Sequence, residues 1–135
     1  MTYIQGVKYT NINSHECIED IVSKIYFTYR TGFPSIGSFT NDIGWGCMIR
    51  SGQMLLANTL LLEKFGRSFR LNSSSSNEKK ENYFNIISLF LDSYDSPYSI
   101  QNIVTKGTRL YQKYIGEWYL IIYFLGLVPI QFLMY

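Results

Sequence analysis

The sequence predicts a mixed α/β chain of the α+β kind, in which helices carry most of the core and strands are few and short. Three observations lead there. After Cys47, the residues Ile49, Met54, Leu55, Ala57, Leu60, Leu61, Leu62 and Phe65 recur at mixed three- and four-residue spacings, and Gly66 stops the run. Behind Ser14, the residues Cys17, Ile18, Ile21, Val22, Ile25 and Tyr26 keep helical spacing. Only Gly6-Val7-Lys8-Tyr9 reads as a short strand, within an otherwise extended or irregular stretch over 1–14. With 135 residues the chain is long enough for one domain with a real core.

Taken in order, the first helix is expected over 14–29. Ser14 is placed to cap it, and Glu16, Glu19 and Asp20 lie in the early turns, where the helix dipole favours acids. Cys17 belongs to its apolar stripe and reads as a core residue. Residues 32–44 are rich in Gly, Pro, Ser and Asn and read as a loop, with Pro34 precluding a continuous helix. The helix of 47–65 follows. Residues 72–82, with Ser73-Ser74-Ser75-Ser76 and alternating charges, read as a low-complexity surface loop. A short helix is expected over 83–91, with Phe84, Ile87, Phe90, Leu91 and in part Leu89 on its apolar face, then a turn cluster over 92–97. Ser99 caps a helix to about Lys106, Gly107 breaks it, and a second segment runs through Tyr114.

Composition narrows the function classes. A formal net charge of +2 is too small for a nucleic-acid footprint, and Lys79-Lys80 is flanked by Glu78 and Glu81. Two cysteines, Cys17 and Cys47, make no disulfide framework, and no zinc-ligand spacing is present. That points to a reducing compartment. Met1 to Gly6 has neither the basic region nor the apolar core of a signal peptide, so a cytoplasmic location is expected.

From Trp118 onward about 18 residues carry no charge, roughly 27 Å as a helix at ~1.5 Å per residue, the lower limit for a bilayer span. Pro129, Gln131 and the lack of basic flanks weigh against stable membrane insertion. The abrupt change of character divides the chain at 119, with 120–135 as an apolar tail, which is divergent by comparison with the family that residues 18–119 resemble. Its expected origin is an altered reading frame, a retained intron or a premature stop.

The chemistry concentrates at Asp42-Ile43-Gly44-Trp45-Gly46-Cys47-Met48-Ile49-Arg50. Gly44 and Gly46 permit a tight turn and leave the approach to Cys47 open. At the start of a helix, backbone N–H groups and the macrodipole favour a thiolate and can stabilise an oxyanion. Taken alone, a free cysteine is more often a small core residue. Asp42 is expected to cap the turn before Gly44, Trp45 to pack beneath the cysteine loop, and Arg50 to pair with an acid. His15, the single histidine, reads as a solvated residue near a helix start.

The extended pattern changes that balance. Tyr26-Phe27-Thr28-Tyr29-Arg30, then Phe33-Pro34-Ser35-Ile36-Gly37, then Asp42 through Gln53 resemble the start of the Atg4 (autophagin) cysteine peptidases. Phe65-Gly66-Arg67, Ser99-Ile100-Gln101-Asn102 and Gly116-Glu117-Trp118-Tyr119 continue the resemblance in the family's order, so that it covers about residues 18–119. The resemblance implies a papain-like fold, of which this chain supplies the helical half, ahead of the sheet that carries the catalytic histidine. It implies Cys47 as nucleophile, Tyr29 as an oxyanion-hole donor and Trp118 as a wall of the substrate groove.

The implied partner is a ubiquitin-like Atg8 protein, cleaved after a C-terminal glycine and released from phosphatidylethanolamine, with no metal or organic cofactor. The family's catalytic Asp and His come from a downstream Asp-Pro-His, which does not occur in these 135 residues. Three readings stay open: a cysteine peptidase, an inactive fragment or non-catalytic Atg8-binding module, and a tail-anchored membrane protein resting on the final segment alone.

Overall fold

The computed structural model describes residues 1–72 and 74–117. The apolar segment 120–135 lies outside them. The elements run β1 (Thr2–Ile4), β2 (Val7–Tyr9), α1 (His15–Val22), β3 (Thr31–Ile36), β4 (Phe39–Asn41), α2 (Cys47–Phe65), α3 (Asn77–Ser88) and α4 (Ile100–Tyr111). The mixed α+β class is as expected, with two small antiparallel sheets beside the helices.

The first sheet is a hairpin pairing Thr2 with Tyr9, Tyr3 with Lys8 and Ile4 with Val7. Its two turn residues, Gln5 and Gly6, have φ of 43° and 83°, the left-handed pair whose twist suits a two-residue hairpin. The strand over 7–9 was expected; its partner β1 was not. Helix α1 opens as expected, with the Ser14 hydroxyl accepting the Cys17 N–H at 3.3 Å. Cys17 is fully buried.

Four expectations need correction. The first helix ends at Val22 rather than continuing to 29, because the Ser23 hydroxyl and N–H both turn back to the Glu19 carbonyl. Beyond it the chain runs extended, with Ile25 and Phe27 buried and Tyr26 and Thr28 exposed, a period of two rather than 3.6. The side chain of Asn58 holds that segment from α2, donating to the Ile25 carbonyl at 2.9 Å and accepting its N–H at 3.0 Å.

The expected loop of 32–44 contains the β3–β4 hairpin, paired at Thr31 with Asn41 and Ile36 with Phe39 and irregular between. Phe33 and Ile36 face the core, and Pro34, which has no N–H to give a ladder, sits in the irregular stretch. Helix α3 begins inside the supposed low-complexity loop, because Ser76 caps it by accepting the Lys79 N–H at 3.3 Å. Finally, Gly107 does not break α4. It is buried within the helix, whose C-cap is Gln112 at φ 53°. The Ser99 cap is as expected, its hydroxyl accepting the Asn102 N–H at 3.2 Å.

Helix α2 is the spine. Ile49, Leu56, Ala57 and Leu61 form its buried face, joined in the core by Ile86 of α3, Ile100, Ile103 and Val104 of α4, and Phe33 and Ile36 of β3. Phe90 stacks at a tilt between Phe27 and Tyr98, with ring centroids 5.4 and 5.3 Å away. No described helix is long and apolar enough to cross a membrane.

Two buried carboxylates tie this frame together. Asp20 on α1 accepts from the Tyr9 hydroxyl at 2.8 Å and from Arg67, and pairs with Lys24 at 2.9 Å and Arg70 at 3.3 Å. Arg67 also donates to the carbonyls of Ile4 and Gln5, so the first hairpin, α1 and the end of α2 are fastened at one point. Burial opposes ionisation of Asp20, but the hydrogen bonds from Arg67, Lys24 and Tyr9 outweigh it and hold the carboxyl well below the usual range. The second carboxylate, Asp42, lies under the candidate site.

Candidate active site

The site is built by the turn that enters α2. Asp42 ends the hairpin, and its backbone carbonyl accepts the N–H groups of Trp45 at 3.3 Å and Gly46 at 2.8 Å. Gly44 takes φ 87°, a conformation that a side chain disfavours. Gly46 is required for a different reason. A Cβ there would stand 2.6 Å from Asp42 Cβ and 2.7 Å from Asp42 Oδ2. The turn therefore closes tightly enough for Cys47 to be the first residue of α2. Trp45 is half-buried, donates from Nε1 to the Asn41 carbonyl at 2.8 Å and meets the edge of Phe39.

Cys47 is exposed at this helix start. No side chain caps the first turn of α2 and no acid lies within it, so the backbone N–H groups at the helix start are not bonded by a capping side chain. The thiol opens onto a groove of about 270 Å³ lined by Tyr26, Phe27, Thr28 and Tyr29 on one side and by Cys47, Arg50, Ser51 and Met54 of α2 on the other. The extended 25–30 segment thus brings Tyr29 and Cys47 to one groove, although 18 positions separate them (47 minus 29). The Tyr29 ring is about half exposed. Desolvation, then the neighbouring Cys47, raises the phenol's pKa above its ordinary value. The phenol therefore stays protonated at neutral pH and remains a donor.

Below the groove the polar groups form a buried chain. Arg50 donates from Nε to Asp42 Oδ2 at 2.6 Å and grips Asp92 with both Nη atoms, at 2.8 and 3.1 Å. It also reaches Gln53 at 3.1 Å, and Gln53 donates to the Tyr98 carbonyl at 2.7 Å. Burial works against the guanidinium's charge, but the bonds to Asp92 and Asp42 raise its pKa above the ordinary value. The expectation that Arg50 pairs with an acid therefore understates the arrangement. Two acids share it, and Asp92 comes from the turn cluster of 92–97, where sequence spacing offered no signal.

Of the other sequence-derived residues, the structure describes His15. His15 opens α1, its side chain 85% exposed and 3.6 Å from Glu19, and it does not line the groove. Trp118 lies outside the described residues. Among the described residues no group of His, Cys, Asp and Glu is arranged to hold a metal.

Comparison with known proteins bears on this geometry. The chain is 42% identical over 120 residues to cysteine protease ATG4B of Xenopus laevis, covering 87% of this chain and 30% of that protein. It is 41% identical over 127 residues to a probable cysteine protease atg4 of Sclerotinia sclerotiorum, covering 76% of this chain and 28% of that protein. Against cysteine protease ATG4B of Gallus gallus the identity is 40% over 120 residues, with 87% and 30% covered. The chain thus spans under a third of the length of these relatives. The family model for the peptidase C54 catalytic domain matches residues 14–122, a stretch that takes in the helix bearing Cys47, the segment bearing Tyr29 and the buried Asp42–Arg50–Asp92 chain. The chain belongs to the peptidase C54 family, the Atg4 cysteine proteases.

Proposed function

We propose that this chain is the nucleophile-bearing part of a cysteine endopeptidase that trims ubiquitin-like Atg8 proteins after a glycine and releases them from phosphatidylethanolamine in the cytoplasm. One observation carries the reading: an exposed thiol at an uncapped helix start, sharing a groove with a phenol donor, in a chain of this family. Cys47 Sγ attacks the glycyl carbonyl, forming a C–S bond while the carbonyl π electrons move to oxygen. Tyr29 O–H and the Cys47 backbone N–H donate to that oxyanion. Collapse expels the amine, which must take up a proton, and water then hydrolyses the thioester. Trp118 is assigned to the groove wall that admits glycine.

The proton for the leaving amine requires a general acid. His15 is the single imidazole in the sequence and does not line the groove. A second reading concerns these 135 residues by themselves: they bind an Atg8-like protein without cutting it. Incubation with an Atg8-like protein carrying a reporter beyond its C-terminal glycine separates the two. Peptidase action releases the reporter in a Cys47-dependent manner. Saturable binding with no release supports the module, and neither binding nor release contradicts both.

A further inference from the structure

We propose that Asp42 is a positioning residue for the Cys47–Tyr29 pair, with Arg50 and Asp92 as its buttress; the proposal rests on the reading of Cys47 as nucleophile given above. The fully buried Asp42 side chain and its backbone join three segments of the site. Oδ1 accepts the Arg30 N–H at 2.6 Å, one residue past Tyr29. Oδ2 accepts Arg50 Nε at 2.6 Å, three residues past Cys47. The backbone carbonyl accepts the Gly46 N–H at 2.8 Å, one residue before Cys47, and the backbone N–H donates to the Arg30 carbonyl at 3.2 Å. A single residue thereby sets the distance between the extended segment that carries the phenol and the helix start that carries the thiol.

The chemistry demands a carboxylate at this position. Both oxygens face N–H donors, one from Arg30 and one from Arg50. An asparagine has one acceptor oxygen, so its NH2 must confront one of those donors and that link is lost. Asp92 then fixes the guanidinium from the other side, and the 3.8 Å approach of Arg30 Nη1 to Asp92 brings the same segment back to it. Gly46 completes the device, since its bare Cα lies against the Asp42 side chain.

The test is a double-substitution cycle on the 135-residue chain, reading site-resolved alkylation of Cys47 by iodoacetamide together with its pH–rate profile and the thermal midpoint. Tyr29→Phe is expected to slow alkylation at pH 7 about tenfold, the effect of losing one hydrogen bond to a charged sulfur. In the Asp42→Asn background the same substitution is expected to change the rate less than about twofold, because the phenol no longer meets the thiol.

Equal factors in the two backgrounds, with only the midpoint lowered, overturn the positioning role and leave the pair intact. A Tyr29→Phe substitution that is silent in the parent chain overturns the proposal together with the oxyanion reading. If Asp42→Asn does not fold, Asp92→Asn serves instead at the outer end of the buttress. There the Tyr29→Phe factor is expected to fall to about threefold, and an unchanged factor overturns the proposal.

Discussion

Asp20 and Asp42 are both fully buried and both gripped by arginine, yet they do different work. Asp20 gathers Tyr9, Lys24, Arg67 and Arg70, residues of the first hairpin, the chain just past α1 and the segment after α2, and no group in that cluster lines the thiol groove. Asp42 holds Arg30, Trp45, Gly46 and Arg50, and each lies within three residues of Tyr29 or Cys47. The same chemistry fastens a frame in one place and aims a reactive pair in the other. A buried ion pair therefore reveals its role through what its partners adjoin, not through its own geometry or burial.

Substitutions that strike one cluster and spare the other sharpen this contrast. The largest effect is expected from Asp20→Asn, which leaves Arg67 without its charge partner and costs about 3–5 kcal/mol, read as a fall in denaturant midpoint. Alkylation of Cys47 in the folded variant stays at the parent rate; a matching loss of reactivity would merge the two clusters. Acid titration probes the same residue. The folded pKa of Asp20 is depressed below an unfolded value of about 3.9, so its stabilisation is present above that pH and is lost as pH falls below it. The Asp20→Asn variant is expected to lack that part of the acid limb.

Gly46→Ala comes next. Its methyl group would overlap the Asp42 side chain, and relief of that contact costs about 1–3 kcal/mol and displaces the helix start. Both the melting temperature and Cys47 alkylation are expected to fall, whereas an alanine tolerated without change in either would show that the turn is looser than drawn. Tyr29→Phe, at a half-exposed ring, is expected to alter stability by less than about 0.5 kcal/mol while slowing Cys47 alkylation. The smallest effect belongs to His15→Ala, which should leave reactivity unchanged and stability nearly so, as only an exposed contact with Glu19 is removed.

Local signals were well written in the sequence. The Ser14 and Ser99 caps, the long helix after Gly46 and the burial of Cys17 follow from neighbours in the chain. What escaped depends on distant residues. Helical spacing through Ile25 and Tyr26 concealed an extended segment that Asn58 holds from 33 positions away. Gly107 reads as a breaker only until burial within α4 supplies its packing. Pro34 and the glycines around it suggested a loop where β4 provides a partner strand. At the site, Gly44, Gly46 and Cys47 announced themselves by spacing, and Tyr29 through family resemblance. Asp92 did neither, since it meets Arg50 from 42 positions away.

The account depends most on Cys47 being the reactive thiol of this chain. Site-resolved labelling with an electrophilic thiol probe, run on the parent and on Cys47→Ala, tests it directly. Labelling at Cys47 in the parent, with Cys17 unlabelled within the core and the signal gone in Cys47→Ala, is the predicted result. Equal labelling of the two proteins, or preferential labelling of Cys17, would contradict it.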